Sequence, residues 1–328
     1  MLHFIIKRVL WSIPVLIAVS FVSFMLIQLP PGDYVTAMVA EMRNNGEFVT
    51  VLQEEQIRTD LGLNDPFLQQ YWRWISDIIF YGDFGQSFHW NAPVSDLIWG
   101  RLAMTLILST LSLVFTWIIA IPIGVYSAQR QYSVSDYVFT VFGFLGKGIP
   151  DFLLALVLMW MSFSWFNLDV GGLMSPQFEG EPLNWDKIVN ILSHLWIPVV
   201  VLATGGAAGL IRVMRANMLD ELGKPYVETA YAQGLSERQV VWRYPVRVAL
   251  NPFISTVGWA LPALFSGDVI TAVVLNLPTT GPLLLQALKM QDMYLAGSFI
   301  LILSVFTVIG TLISDVLLAW SDPRIRYA

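Results

Sequence analysis

The sequence predicts an all-α, polytopic membrane protein with six transmembrane helices, and three observations carry that class. Hydrophobic residues make up 56% of the 328 positions, and the mean hydropathy is +0.63. Charged residues make up 13%, about half of the roughly 25% expected in a soluble domain. Several apolar runs exceed the roughly 18 residues that mark a bilayer-crossing helix. Helices are the only open-ended elements that satisfy their own backbone polar groups in lipid. Length alone suggests one or two soluble domains, and composition overrules it.

The first span comes from MLHFIIKRVLWSIPVLIAVSFVSFMLIQLPPGD, where Lys7 and Arg8 precede an apolar run at 9–29. That run is longer than a secretory signal core of about 7–15 residues, and Pro30-Pro31 is not a small-residue cleavage site. Segment 1–30 therefore reads as a retained helix. The connection 31–100 holds ten acidic and three basic residues. Within it, Ile57, Leu61, Leu68, Tyr71, Ile75 and Ile78 recur at helical spacing around an Asn64-Asp65-Pro66 break. Short helices lying over the outer mouth of the bundle are expected there.

A five-helix core, 101–328, follows, with spans expected near 103–126, 137–166, 194–217, 253–275 and 296–320. Gly146, Gly148 and Pro150 interrupt the third, which is read as kinked or split. A second, shorter acidic loop occupies 167–193. Basic residues set the orientation: Lys7, Arg8, Arg130, the 220–250 loop, Arg324 and Arg326 all fall on one side. That side is the cytoplasm, so both termini are placed there and 31–100 outside.

Several chemistries are excluded. The chain has no cysteine, hence no disulfide or thiolate metal site. GFLGKG at 143–148 lacks phosphate-loop spacing. His3, His89 and His194 are scattered and form no metal-ligand pair at helical spacing. No catalytic group, cofactor, metal or nucleic-acid partner is expected, which opposes an intramembrane enzyme.

One stretch breaks the apolar pattern: KPYVETAYAQGLSERQVVWRYPVRVALNP, from Lys224 to Pro252. Six basic and four acidic residues fall between Arg212 and Arg247. Pro225 suits the first helical position and Gly234 the left-handed stop. Between them fits a helix of about nine residues, roughly 14 Å long. Ser236 with Gln239 three residues on forms a capping box that starts a second helix. So short a helix is marginal alone and must pack on something. Glu228, Ala230 and Gly234, flanked by Tyr226 and Tyr231, suit close approach by a partner surface; the alternative is a loop helix resting on its own bundle.

Ionisable residues at membrane depth are functional candidates by default. Lys147 and Asp151 lie four apart, sharing one face of the third helix, either as path residues or as a pair that neutralises itself beside Pro150. Asp268, in LFSGDVITAVV, has no sequence-local partner and faces either the translocation path or an ion-pair partner on another helix. Gly205-Gly206 and Ala207-Ala208-Gly209 permit close helix packing. Trp72, Trp74, Trp90 and Trp185, in the outer loops, are candidates for stacking on a ligand such as a sugar ring.

The Lys224–Pro252 stretch resembles the "EAA" cytoplasmic loop of ABC-importer permeases, a Glu-Ala-Ala triplet followed after three residues by Gly. Here it reads Glu228-Thr229-Ala230, Tyr231-Ala232-Gln233, Gly234. It departs at Thr229 and closes on Asn251-Pro252 instead of Leu-Pro. TAYAQGLS is similar to the TARAKGLS typical of the peptide-importer branch. The opening helix with its Pro-Gly-Asp exit, LGLNDPFLQQYWRWI, GDFGQSFHWNAPVSDLIWGRLAMTL, IPIGVYSA, GIPDFLLAL and DPRIRY add matches in order along nearly the whole chain. The chain thus resembles integral-membrane permease subunits of the dipeptide/oligopeptide class of ABC importers, a class that also carries nickel complexes and oligosaccharides.

The resemblance implies a six-helix permease fold with a periplasmic helical insertion, in a bacterial or archaeal plasma membrane. It implies that Tyr226, Glu228, Ala230, Tyr231, Gly234 and Leu235 form a coupling helix seated in a groove of an ATP-binding subunit. Two such cytoplasmic subunits, a homologous second permease, an extracytoplasmic solute-binding protein and membrane lipid would be the partners. ATP hydrolysis would be theirs. Asp315 resembles a usual family aspartate with a structural role. A different class, an ion-coupled secondary transporter with Asp268 and Lys147 as carriers, is opposed by six spans without an inverted repeat.

Overall fold

The computed structural model describes residues 2–29, 32–44, 46, 48–168, 170–178, 181–182, 184–255 and 269–321. They are overwhelmingly helical and form two compact units, Met1–Met104 with Thr279–Ile309 and Thr105–Pro278 with Gly310–Ala328. In chain order the first elements are α1 (Leu2–Gln28), α2 (Tyr34–Asn44), α3 (Val51–Asp60), α4 (Phe67–Tyr81), a two-residue hairpin of β1 (Gln86–Ser87) and β2 (Ala92–Pro93), and α5 (Val94–Gln129). There follow α6 (Val134–Gly148), α7 (Asp151–Phe166), α8 (Trp185–Leu222), α9 (Pro225–Ala232), α10 (Glu237–Arg243), α11 (Pro245–Ala249), α12 (Val269–Val274), α13 (Thr280–Lys289) and α14 (Met293–Ser321).

Among the described residues, four helices are long and apolar enough to cross a bilayer, over Arg8–Gln28, Val94–Gln129, Trp185–Leu222 and Met293–Leu317, and a fifth crossing is added if the bent pair α6–α7 is one span. α5 and α8 have 36 and 38 residues. At 1.5 Å per residue they run to about 55 Å, well beyond a hydrocarbon core of about 30 Å. They therefore outrun the expected 103–126 and 194–217, because hydropathy marks the part in lipid and not where the helix stops. Of the expected 253–275 span, residues 256–268, Asp268 included, lie outside the described residues; 251–255 and α12 are helical.

The third expected span is two helices meeting at 102°. The cause is local. Pro150 lacks an N–H and disfavours helical geometry at Ile149 before it; it stands as the N-cap of α7 with extended ψ of 134°. Both halves lie on α8. α6 approaches it closely because a side chain at Gly146 would meet Thr204 Cγ2 at 2.7 Å, and one at Gly143 would meet Ala208 Cβ at 3.5 Å.

In the first unit, α4 docks on α1 through aromatic rings. Phe21 meets Tyr71 edge-on at 5.2 Å, Phe24 stacks on Trp74 at 5.2 Å, and Ser20 Oγ lies 2.9 Å from Tyr71 Oη. The expected apolar stripe on α4 is shifted in register. Leu68 is 66% exposed, whereas Trp74 is 2% exposed and donates its Nε1–H to Ser298 Oγ at 3.3 Å. Trp74 is thus a core residue, not available to stack on a ligand; indole area outweighs a leucine once α1 offers an aromatic face. Trp72 and Trp185 remain exposed. The turn after β1 is fastened by Asp292, fully buried, which accepts from Ser87 Oγ at 2.5 Å, from the His89 N–H at 3.2 Å and from the Leu295 N–H at 3.2 Å.

In the second unit the core joins α5, α8 and the loop helices. Ala120, Val125, Met214, Met218, Val241, Val246 and Phe253 are buried in one cluster. A side chain at Gly124 would meet Met214 Cβ at 2.5 Å, so α5 and α8 touch at backbone distance there.

Candidate functional site

The loop after α8 folds as its local signals dictate. Pro225 is the first helical residue of α9. Gly234 has φ of +78°, a conformation that costs a residue with a Cβ about 1–2 kcal/mol. The Ser236–Gln239 capping box is formed in both directions, with Gln239 Oε1 accepting from the Ser236 N–H at 3.1 Å. α9 has eight residues, one fewer than expected.

What α9 packs on is its own neighbour. Val227 and Ala230 are buried against Val240 of α10, with Leu235 and Tyr244 closing the edge. The expectation that Ala230 presents a small outward surface is therefore corrected: Ala230 is 2% exposed, because a helix this short needs an apolar seat and Val227 and Ala230, three apart, share its inner face. Leu235 is half-buried and holds the turn. The opposite face carries Glu228, Tyr231 and Gly234, all exposed, with Tyr231 at 43%. Tyr226 is tied down. Its hydroxyl donates to Glu221 Oε2, and burial, reinforced by that carboxylate, pushes its pKa above the usual phenol range.

The membrane-embedded candidates separate. Lys147 ends α6 and Asp151 begins α7, so the 102° bend removes the shared helical face that spacing four implied. Asp151 lies on α8, its carboxylate oxygens 3.3 Å from where a Gly205 Cβ would stand. Gly205 thus makes room for a carboxylate and not for a helix backbone. Lys147 lines a cleft between α6 and α8 together with Arg212 and Arg215. Asp268 lies outside the described residues.

Sequence reasoning missed one charge contact of this unit. Asp136, buried in the first turn of α6, accepts from Arg215 Nε at 3.1 Å and from Nη2 at 2.9 Å. The Tyr132 N–H adds a bond at 3.0 Å. The residues are 79 apart, and no local spacing signals such a pair.

The chain was compared with known proteins. Residues 120–327 match the family model described as "Binding-protein-dependent transport system inner membrane component". Residues 1–109 match the model for the N-terminal part of such membrane components. An oligopeptide transport system permease protein, AppB, of Bacillus subtilis (strain 168) is 36% identical over 332 residues, covering 100% of both chains. Dipeptide transport system permease proteins, DppB, of Alkalihalophilus pseudofirmus and Escherichia coli (strain K12) are 30% and 28% identical, again over 100% of this chain and 100% and 99% of theirs.

Proposed function

Because the chain belongs to the family of binding-protein-dependent transport system inner membrane components, we propose that it forms half of the pore of an ATP-driven importer for oligopeptides or dipeptides. The cargo reading is supported by the names of its full-length relatives. In this reading the chain crosses the membrane six times with both termini in the cytoplasm, and a homologous permease completes the pore. An external binding protein delivers the peptide. Two cytoplasmic ATPase subunits supply the hydrolysis.

The observation that carries the mechanism is the construction of the α9–α10 hairpin. Its inner residues, Val227, Ala230 and Val240, make a small core that leaves Glu228, Tyr231 and Gly234 facing outward. The core makes the hairpin stiff, and the phenol anchored on Glu221 at the end of α8 joins α9 to a helix of about 57 Å. Force on the outward face is thus passed into a membrane helix and not lost in a loop. Only a contact whose energy differs between ATP-bound and ATP-free partners can drive such a motion.

The test uses the absence of native cysteine. A single Tyr231→Cys in the assembled transporter, paired with a cysteine in the groove of the ATPase subunit, is expected to crosslink with ATP-dependent yield. Glu228→Arg with Tyr231→Ala should release the ATPase on co-purification and abolish ATP-dependent peptide uptake into proteoliposomes. Uptake that persists in that variant, or without ATP, defeats the proposal.

A further inference from the structure

We propose that the cleft between α6 and α8 holds a phosphate-bearing anion, supplied by the headgroup of an acidic phospholipid. Three cationic side chains line it, Lys147, Arg212 and Arg215, and no carboxylate does among the described residues. Asp136 stands beside the cleft and engages Arg215 through two of its five N–H donors, which leaves that guanidinium three more. Two hydroxyls add polar lining, Thr140 and Ser127. The Ser127 hydroxyl is buried and lies beside the Asp136 carboxylate.

Size selects the occupant. The space open to water-sized groups is about 20 Å³, enough for one or two phosphate oxygens and far too little for a peptide. The phosphorus and its glycerol would sit at the mouth. The surroundings select a lipid source: Val141 and Phe142 on α6 and Val213 on α8 are exposed and offer an apolar surface to acyl chains. Ser127, Phe139 and Arg215 set one end of the cleft near the 130–133 turn, and Lys147, in the last turn of α6, stands at its other end. Basic clefts between membrane helices are suited to acidic headgroups in this way. The inference does not depend on which solute is carried.

The experiment uses the full chain purified in a nonionic detergent, with thermal unfolding and retained lipid as readouts. Phosphatidylglycerol, phosphatidylcholine and inorganic phosphate are added separately. Phosphatidylglycerol is expected to raise Tm at least twice as much as phosphatidylcholine and to be retained after exchange. The variant Lys147→Gln with Arg212→Gln should lose that preference, while Lys147→Arg with Arg212→Lys keeps it, which separates lost charge from misfolding. If inorganic phosphate alone reproduces the shift and the Gln variant abolishes it, the anion site stands and its source is soluble phosphate. Equal stabilisation by the two lipids overturns the proposal, as does a Gln variant that keeps the preference.

Discussion

Arg215 grips Asp136 with both Nε and Nη2, at 3.1 and 2.9 Å, joining the first turn of α6 to the last third of α8. Two parallel charge-assisted bonds fix orientation as well as distance. The carboxylate side chain is 5% exposed and the arginine 26%. Removing the cation alone strands a buried charge, which costs about 3–5 kcal/mol in fully buried pairs; the partial exposure of Arg215 places this pair at or below the lower end.

Arg215→Met is therefore expected to destabilise the chain by about 3 kcal/mol, and Asp136→Asn with Arg215→Met by clearly less, since no charge is then left alone. Arg215→Lys should fall between, because an ammonium cannot form the fork. Thermal unfolding of the purified chain checks the order. A double variant as unstable as the sum of the singles would show that the two residues act separately.

Glycines on or facing α8 should divide into two groups. Gly124→Ala places a methyl at 2.5 Å from Met214 Cβ, and overpacking of this kind costs about 1–3 kcal/mol. Gly209 has nothing within 4 Å of its added Cβ. Gly209→Ala should thus be neutral or stabilising by up to about 1 kcal/mol, the helix-propensity difference. Equal losses at both positions would contradict the packing described for α5 on α8. Unfolding temperature and monodisperse yield report both.

At Gly234 the constraint is backbone conformation and not space, since nothing lies within 4 Å of an added Cβ. Gly234→Val is expected to disturb the α9–α10 turn and to lower ATP-dependent transport at least tenfold while the ATPase remains active. Gly234→Asn, which tolerates positive φ, should retain most transport. The ratio of ATP hydrolysed to peptide imported in proteoliposomes is the measurement.

Asp292 gives a pH dependence of definite sign. Burial raises its pKa more than the bonds from Ser87, Leu295, His89 and Phe88 lower it. The folded state therefore holds the proton more tightly than the unfolded chain. That contribution is complete below the unfolded value of about 3.9 and is lost as pH rises through the folded value, because stability falls wherever the native state binds more protons. The stability of the wild-type chain relative to Asp292→Asn should thus decline with rising pH across that interval. The variant itself should be less stable overall, since its amide N–H₂ would meet groups that donate. Unfolding temperatures measured across the acid range test this, and a wild-type advantage that grows with pH would refute it.

The chain's own order of residues determined whatever depends on neighbours along the backbone. The helical, membrane-spanning class followed from apolar run length. Pro225, Gly234 and the Ser236–Gln239 box marked the α9 and α10 boundaries because capping and left-handed turns are settled within four or five residues. Pro150 announced the break between α6 and α7 for the same reason. Tertiary structure decided what depends on facing surfaces. It turned Ala230 inward, since a short helix buries whichever side meets an apolar seat, here Val240. It buried Trp74 and exposed Leu68, because α1 presents Phe21 and Phe24. It set Lys147 beside Arg212 and Arg215 and sent Asp151 to Gly205, because a 102° bend cancels the geometry that spacing four would impose. Asp136–Arg215 and Ser87–Asp292 are separated by 79 and 205 residues, and contacts of that range are products of how helices pack, which no local pattern encodes.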